Sequence, residues 1–64
     1  MTSRELLRKL RRVGVTVDPD RGKGGHVRGE RNGRKSIVPT GSGDLRRGTL
    51  LRILRDLEVK PEDL

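Results

Sequence analysis

The chain has 64 residues, a formal net charge of +7, one histidine, and neither cysteine nor aromatic residues. That length points to a single domain, residues 1–64, with an aliphatic core of marginal stability; the lack of cysteine excludes disulfides and thiolate zinc sites, so neither a metal nor a cofactor is expected. No apolar run exceeds two residues, which excludes a membrane-spanning helix, and the N-terminus lacks the apolar stretch of a signal peptide, so the expected location is cytoplasmic.

Thr2-Ser3-Arg4-Glu5 has the pattern of a capping box, in which the Thr2 hydroxyl accepts from the Glu5 amide and the Glu5 carboxylate reaches back to the Thr2 amide. Leu6, Leu7, Leu10 and Val13 follow at helical spacing, with Arg4, Arg8, Arg11 and Arg12 on the other face. Gly14 suits a left-handed cap, so the spacing predicts a helix over residues 3–13. Val15-Thr16-Val17 alternates as a short strand that ends at Asp18-Pro19-Asp20, because Pro19 cannot donate to a ladder. Residues 20–25 form a charged, glycine-rich loop.

Alternation resumes over His26 to Glu30, and Asn32-Gly33 is a strong hairpin signal. Arg34 to Pro39 forms the returning strand, with Ile37-Val38 as its apolar centre and both side chains expected in the core. Residues 40–44 make a second loop, expected to lie near the first. From Gly48 or Thr49 a second helix turns Leu50, Ile53, Leu54 and Leu57 inward and Arg52, Arg55 and Asp56 outward. Lys60-Pro61-Glu62 starts a last helical turn. The fold class is α+β: a three-stranded antiparallel sheet whose apolar face is covered by two amphipathic helices.

Residues 1–55 carry a charge balance of +10 and residues 56–64 one of −3. A strongly basic body without large apolar patches suits an extended polyanion, and nucleic acid is the usual one. Within this body Gly22-Lys23-Gly24-Gly25-His26-Val27-Arg28 sets the lone imidazole where a glycine-rich turn enters a strand, among cations. Breaking RNA by attack of its own 2′-OH requires a base for that hydroxyl, stabilisation of charge on the phosphorane, and an acid for the 5′-oxygen. An imidazole has a reference pKa of about 6.5, which leaves both protonation forms accessible near neutral pH. His26 is therefore the candidate catalytic base or acid. Lys23 and Arg28 are candidate RNA-phosphate contacts, and Gly24 and Gly25 supply backbone that permits close approach of RNA. The plainer alternative makes His26 a surface strand residue beside an ordinary turn, with the cations solvated.

A first helix ending in glycine, Gly24-Gly25-His26 at a strand start, then Pro39 and Leu45-Arg46-Arg47-Gly48-Thr49-Leu50-Leu51-Arg52-Ile53-Leu54 together resemble the HicA toxins of bacterial type II toxin–antitoxin modules. Members of that family carry Gly-Ser-His or Gly-Gly-His at the strand start and a helix containing Gly-Thr-Leu. The resemblance covers nearly the whole chain. It implies a small α-β-β-β-α fold similar to the double-stranded-RNA-binding domain, and the activity of an mRNA interferase that stops translation and growth. It also implies a catalytic role at His26 and a HicB-like antitoxin protein as partner, besides the RNA substrate. The chain departs from the family in having no aromatic after the first helix's glycine or beyond the histidine. Thr40-Gly41-Ser42 stands where a second histidine often follows the proline. The alternative function is a non-catalytic double-stranded-RNA-binding module, which reads A-form shape through phosphate and 2′-OH contacts and needs no histidine.

Overall fold

The structure, a computed structural model, describes residues 1–19, 24–41 and 43–64. Helix α1 spans Ser3–Arg12, strands β1, β2 and β3 span Thr16–Asp18, His26–Arg31 and Arg34–Pro39, helix α2 spans Arg47–Leu57, and a 3₁₀ turn at Pro61–Asp63 closes the chain. The strands form one antiparallel sheet in the order β1-β2-β3. Strand β3 has its expected limits, while β1 lies one residue later than expected, β2 runs on to Arg31, and α2 begins at Arg47 rather than Gly48 or Thr49. Among the described residues no helix is long and apolar enough to cross a membrane.

Local chemistry explains where each element starts and stops. The Thr2 hydroxyl accepts from the Glu5 amide at 3.2 Å and donates to the Glu5 carboxylate at 3.3 Å. The return arm of the capping box thus closes on the hydroxyl instead of the Thr2 amide. Thr2 is also held by its backbone, through a bridge to Asp44 flanked by a 2.8 Å bond from the Leu45 amide to the Met1 carbonyl. Asn32 and Gly33 both have positive φ, +52° and +82°, which is the two-residue turn that matches strand twist.

The two helices end alike. In α1 the Gly14 amide donates to the Arg11 carbonyl at 3.2 Å and the Val15 amide to the Leu10 carbonyl at 3.0 Å. In α2 the Glu58 amide donates to the Arg55 carbonyl at 3.1 Å and the Val59 amide to the Leu54 carbonyl at 2.9 Å. Each is a left-handed cap whose flanking apolar pair, Leu10 with Val15 and Leu54 with Val59, is buried. Glycine occupies the left-handed position in the first cap (φ +92°), but Glu58 occupies it in the second (φ +53°), where a side chain costs about 1–2 kcal/mol.

Arg31 joins both ends. Its Nε donates to the Val13 carbonyl at 3.1 Å, and its Nη1 to the Leu57 and Glu58 carbonyls at 3.3 and 3.0 Å. One guanidinium therefore satisfies carbonyls left over at the C-termini of two helices and sets positive charge against the negative ends of both dipoles.

The pleat sends alternate residues to opposite faces. Val17, Gly29 and Ser36 lie in register, as do Val27 and Val38, on the face that α1 and α2 cover. The core is Leu6, Leu10, Val15, Val38, Ile53, Leu54, Leu57 and Val59. Ile37 is not in it: it pairs with Arg28 on the opposite face and is 40% exposed, because adjacent strand residues cannot both face inward. Asp56, expected outward, is half-buried and accepts from the Ser36 hydroxyl at 3.0 Å. Arg52 bonds both that carboxylate, at 3.3 Å, and the Ile37 carbonyl, at 3.1 Å. These contacts bolt α2 onto β3.

Two stability predictions follow from the helix ends. Arg31→Met should lower unfolding free energy by about 2–3 kcal/mol, since it strips a charged donor from partly buried carbonyls, and Arg31→Lys should restore only part of the loss because an ammonium lacks the planar fork. Glu58→Gly should raise stability by up to about 1 kcal/mol and Gly14→Ala should lower it by at least a similar amount. For a domain this small about 1 kcal/mol is a melting shift of roughly 4–8 °C, which a thermal denaturation series followed by circular dichroism reads directly.

Candidate active site

His26 is the first residue of β2, is exposed, and pairs across the sheet with Pro39. By the pleat it stands on the face that the helices leave open, together with Arg28 and Glu30 of its own strand and Lys35 and Ile37 of β3. The Gly24 carbonyl lies 3.4 Å from His26 Nδ1. A carbonyl only accepts, so this contact favours the tautomer with the proton on Nδ1 and leaves Nε2 as the nitrogen that takes up and returns a proton.

The backbone around the imidazole is held from the neighbouring loop. The Thr40 amide donates to the Gly25 carbonyl at 2.7 Å, which docks the segment after β3 against the turn before β2, as expected of the two loops over their described parts. Gly25 has φ +80°, a conformation that side chains rarely adopt. Gly24 has ordinary φ, and a Cβ built there meets open space. Nothing inside the fold demands glycine at 24, and the backbone there is bare to an approaching ligand. Lys23 lies outside the described residues, as do residues 20–22 and Ser42.

Arg28 sits two residues along from His26 on the same face, opposite Asp18 on one side and Ile37 on the other. Its Nη2 lies 3.8 Å from the Glu30 carboxylate, a loose pair, and its Nε is buried with no hydrogen-bond partner. The buried Nε is out of a ligand's reach, and the loosely paired Nη2 of this part-exposed side chain is the donor a ligand would meet.

The helices add to the field. Arg52 and Asp56 of α2 meet β3 near Ile37 and Ser36, so α2 runs antiparallel to β3 and starts near Pro39. The start of α1 is tied to Asp44 and Leu45. Both helix N-termini therefore lie at the His26 end of the sheet and both C-termini at the Arg31 end. Positive dipole ends thus meet Arg46 and Arg47 there, with no acidic residue in the first turn of α2. Clefts of about 190, 230 and 420 Å³ all lie at this end and share Ser3. Among the described residues no three His, Asp or Glu side chains gather where a metal ion would sit.

Of the site residues expected from sequence, four are described. Gly24, Gly25, His26 and Arg28 come together at one end of one strand. The clustering of the two helix starts beside them has no local signal in the sequence. Its signal lies in the strand order and in Pro39 opposite His26, which only the register reveals.

The fold is a small basic α-β-β-β-α domain with an exposed histidine at the end of the sheet where both helices start. The family model of the HicA toxin of bacterial toxin-antitoxin systems matches residues 3–59, and the chain belongs to that family. No curated protein matches it. Membership puts the chain on the toxin side of a toxin–antitoxin pair.

Arg28 gives a test that separates folding from function. Its buried Nε is unpaired and its ion pair is long, so Arg28→Met should change unfolding free energy by no more than about 0.5 kcal/mol. A melt that drops by many degrees would mean that the side chain is held by the fold, not kept for a ligand.

Proposed function

We propose that this HicA-family protein is a ribonuclease that cleaves messenger RNA with His26 and so arrests translation and growth until an antitoxin binds it. The observation that carries this reading is the pairing, on one open face, of an exposed imidazole with a guanidinium whose Nη2 is only loosely held, 3.8 Å from the Glu30 carboxylate. His26 Nε2 takes the proton of the 2′-OH, the new O2′–P bond forms, and the P–O5′ bond breaks. Arg28, with Lys23 and the bare backbone at Gly24 and Gly25, offsets the charge that builds on the phosphorane oxygens. Water reaching this exposed site supplies the proton to the leaving O5′. The products carry a 2′,3′-cyclic phosphate and a 5′-hydroxyl.

No step requires a metal, so the purified protein should cut single-stranded RNA in excess EDTA and leave DNA intact. His26→Ala should slow cleavage by about 10²–10⁴-fold, the usual worth of a proton-transferring side chain, and should abolish growth arrest with the melting temperature unchanged. Cleavage that survives in a nuclease-free preparation of His26→Ala would rule out the mechanism. RNA binding without cleavage in the wild-type chain would favour the alternative, a non-catalytic double-stranded-RNA-binding module.

The partner should be a HicB-like antitoxin whose acidic surface complements the cationic end, since matched charge speeds and selects encounter. Bound to the native toxin alone, it should raise the melting temperature of the complex and protect residues 24–30 from hydrogen exchange. A complex that leaves those residues exchanging freely and cleavage undiminished would defeat inhibition by occlusion.

A further inference from the structure

Among the described residues Arg31, Arg34 and Arg52 are committed to the fold's own groups: Arg31 and Arg34 bond carbonyls, and Arg52 bonds the Asp56 carboxylate and the Ile37 carbonyl. Arg4 and Arg11 are different: both are exposed, and neither makes a side-chain hydrogen bond or ion pair among the described residues. They stand seven residues apart on α1, which puts them on nearly the same side of the helix about 10 Å apart along its axis. Leu7 lies between them, half-buried. These three residues, with Ser3 and Thr40, line one cleft of about 230 Å³.

The cleft touches the candidate site through Thr40, whose amide is bonded to the Gly25 carbonyl at 2.7 Å. Beyond Thr40 a wider cleft of about 420 Å³ continues past Arg4. A concave surface with two unpaired guanidiniums, an apolar floor and a hydroxyl-bearing rim, opening beside an imidazole, fits a chain of phosphodiesters. A carboxylate-bearing protein segment would find the same two cations, but a phosphodiester chain carries a charge at every step and so can place one phosphate on each guanidinium.

We propose that the Arg4–Leu7–Arg11 face of α1, with Thr40, is the track along which a single RNA strand lies as it reaches His26. The track rests on the ribonuclease reading and adds to it: Arg4 and Arg11 each hold a phosphate outside the scissile step, and Leu7 gives the intervening nucleotide an apolar surface. It compensates in part for the missing aromatic side chains, on which bases stack in other single-strand binders. The contacts are to backbone, so they confer affinity and register without sequence preference.

The test measures binding of an unstructured RNA oligonucleotide by fluorescence anisotropy at several salt concentrations, with His26→Ala as the parent so that the strand stays whole. Adding Arg4→Gln and Arg11→Gln should weaken binding by roughly tenfold and reduce the slope of log affinity against log salt by about 1.4, two contacts at about 0.7 each for a single strand. Adding Arg12→Gln and Arg55→Gln instead removes the same charge from helix positions that do not line the cleft and should leave most of the slope. In the active protein, Arg4→Gln with Arg11→Gln should slow cleavage of a long RNA but spare a dinucleotide too short to reach α1. Equal losses from the two pairs would reduce the effect to net charge and overturn the track, as would an unchanged slope after Arg4→Gln with Arg11→Gln. Either result leaves the ribonuclease reading standing. A wild-type chain that binds RNA with the expected slope change yet cuts nothing would sink the ribonuclease reading while retaining the α1 surface as an RNA contact. Melting curves of each variant confirm that exposed substitutions have not unfolded the domain.

Discussion

The contact on which the architecture turns is the Arg31 guanidinium set among the Val13, Leu57 and Glu58 carbonyls. A core of Leu, Ile and Val with no aromatic ring gives each helix few broad surfaces to lock against the sheet. The helix ends also carry carbonyls that must find donors. A planar cation with donors on two edges meets both needs at once and fixes the two C-termini side by side. With their C-termini so held, both helices run the same way along the sheet, and their N-termini arrive together at the far end. Five residues separate Arg31 from His26 on one strand. An odd separation in a pleated strand places the two side chains on opposite faces, so the cation that organises the helices lies inside at one end and the imidazole lies outside at the other.

That polarity divides the chain's many arginines. Near the hairpin, Arg34 bonds the Asp56 carbonyl at 2.8 Å and pairs with Glu58 at 3.2 Å, so positive charge there is absorbed by helix carbonyls and by the acidic last turn of α2. Arg4, Arg8, Arg11, Arg12, Arg46, Arg47 and Arg55 have no such partners. Among the described residues the arginines without such partners thus lie on α1, on α2 and just before its start. Composition alone shows an Arg-rich body, whereas the fold shows which of those cations are neutralised internally and which remain for a ligand.

Much of the fold was legible because its boundaries are set by neighbouring residues. Thr2 with Glu5, Asn32-Gly33 and Gly14 each dictate a local geometry that tolerates little else, and the elements between them follow. Ile37 departs from expectation because an apolar pair in a strand must split between faces. Which member goes inward depends on where the helices pack, a fact that no local pattern holds. Asp56 departs for the same reason: its partner Ser36 is twenty residues away. Arg31 carried no signal, being one of 16 Lys and Arg residues and distinguished only by tertiary position. At the site, Gly24-Gly25-His26 stood out as a chemical combination, but the Thr40 contact and the two helix starts arise from topology.

The openness of the His26 face bears on how such a protein is controlled. Among the described residues no segment covers that face, and Ile37 beside Arg28 is left 40% exposed. A nuclease that recognises bases through a deep pocket gains selectivity from the pocket and is restrained by it. On the proposed ribonuclease reading, recognition here would rest on guanidiniums and bare backbone, which engage phosphates and carry little sequence information. A site of that kind has no internal means to spare one transcript and cut another, so selectivity must come from when it is uncovered. On the proposed reading an antitoxin would do more than block a reaction: it would cover the open face, matching acidic groups to the free cations and apolar surface to Ile37. The small core favours the same arrangement, because a domain of marginal stability gains most from a partner that binds only its folded form.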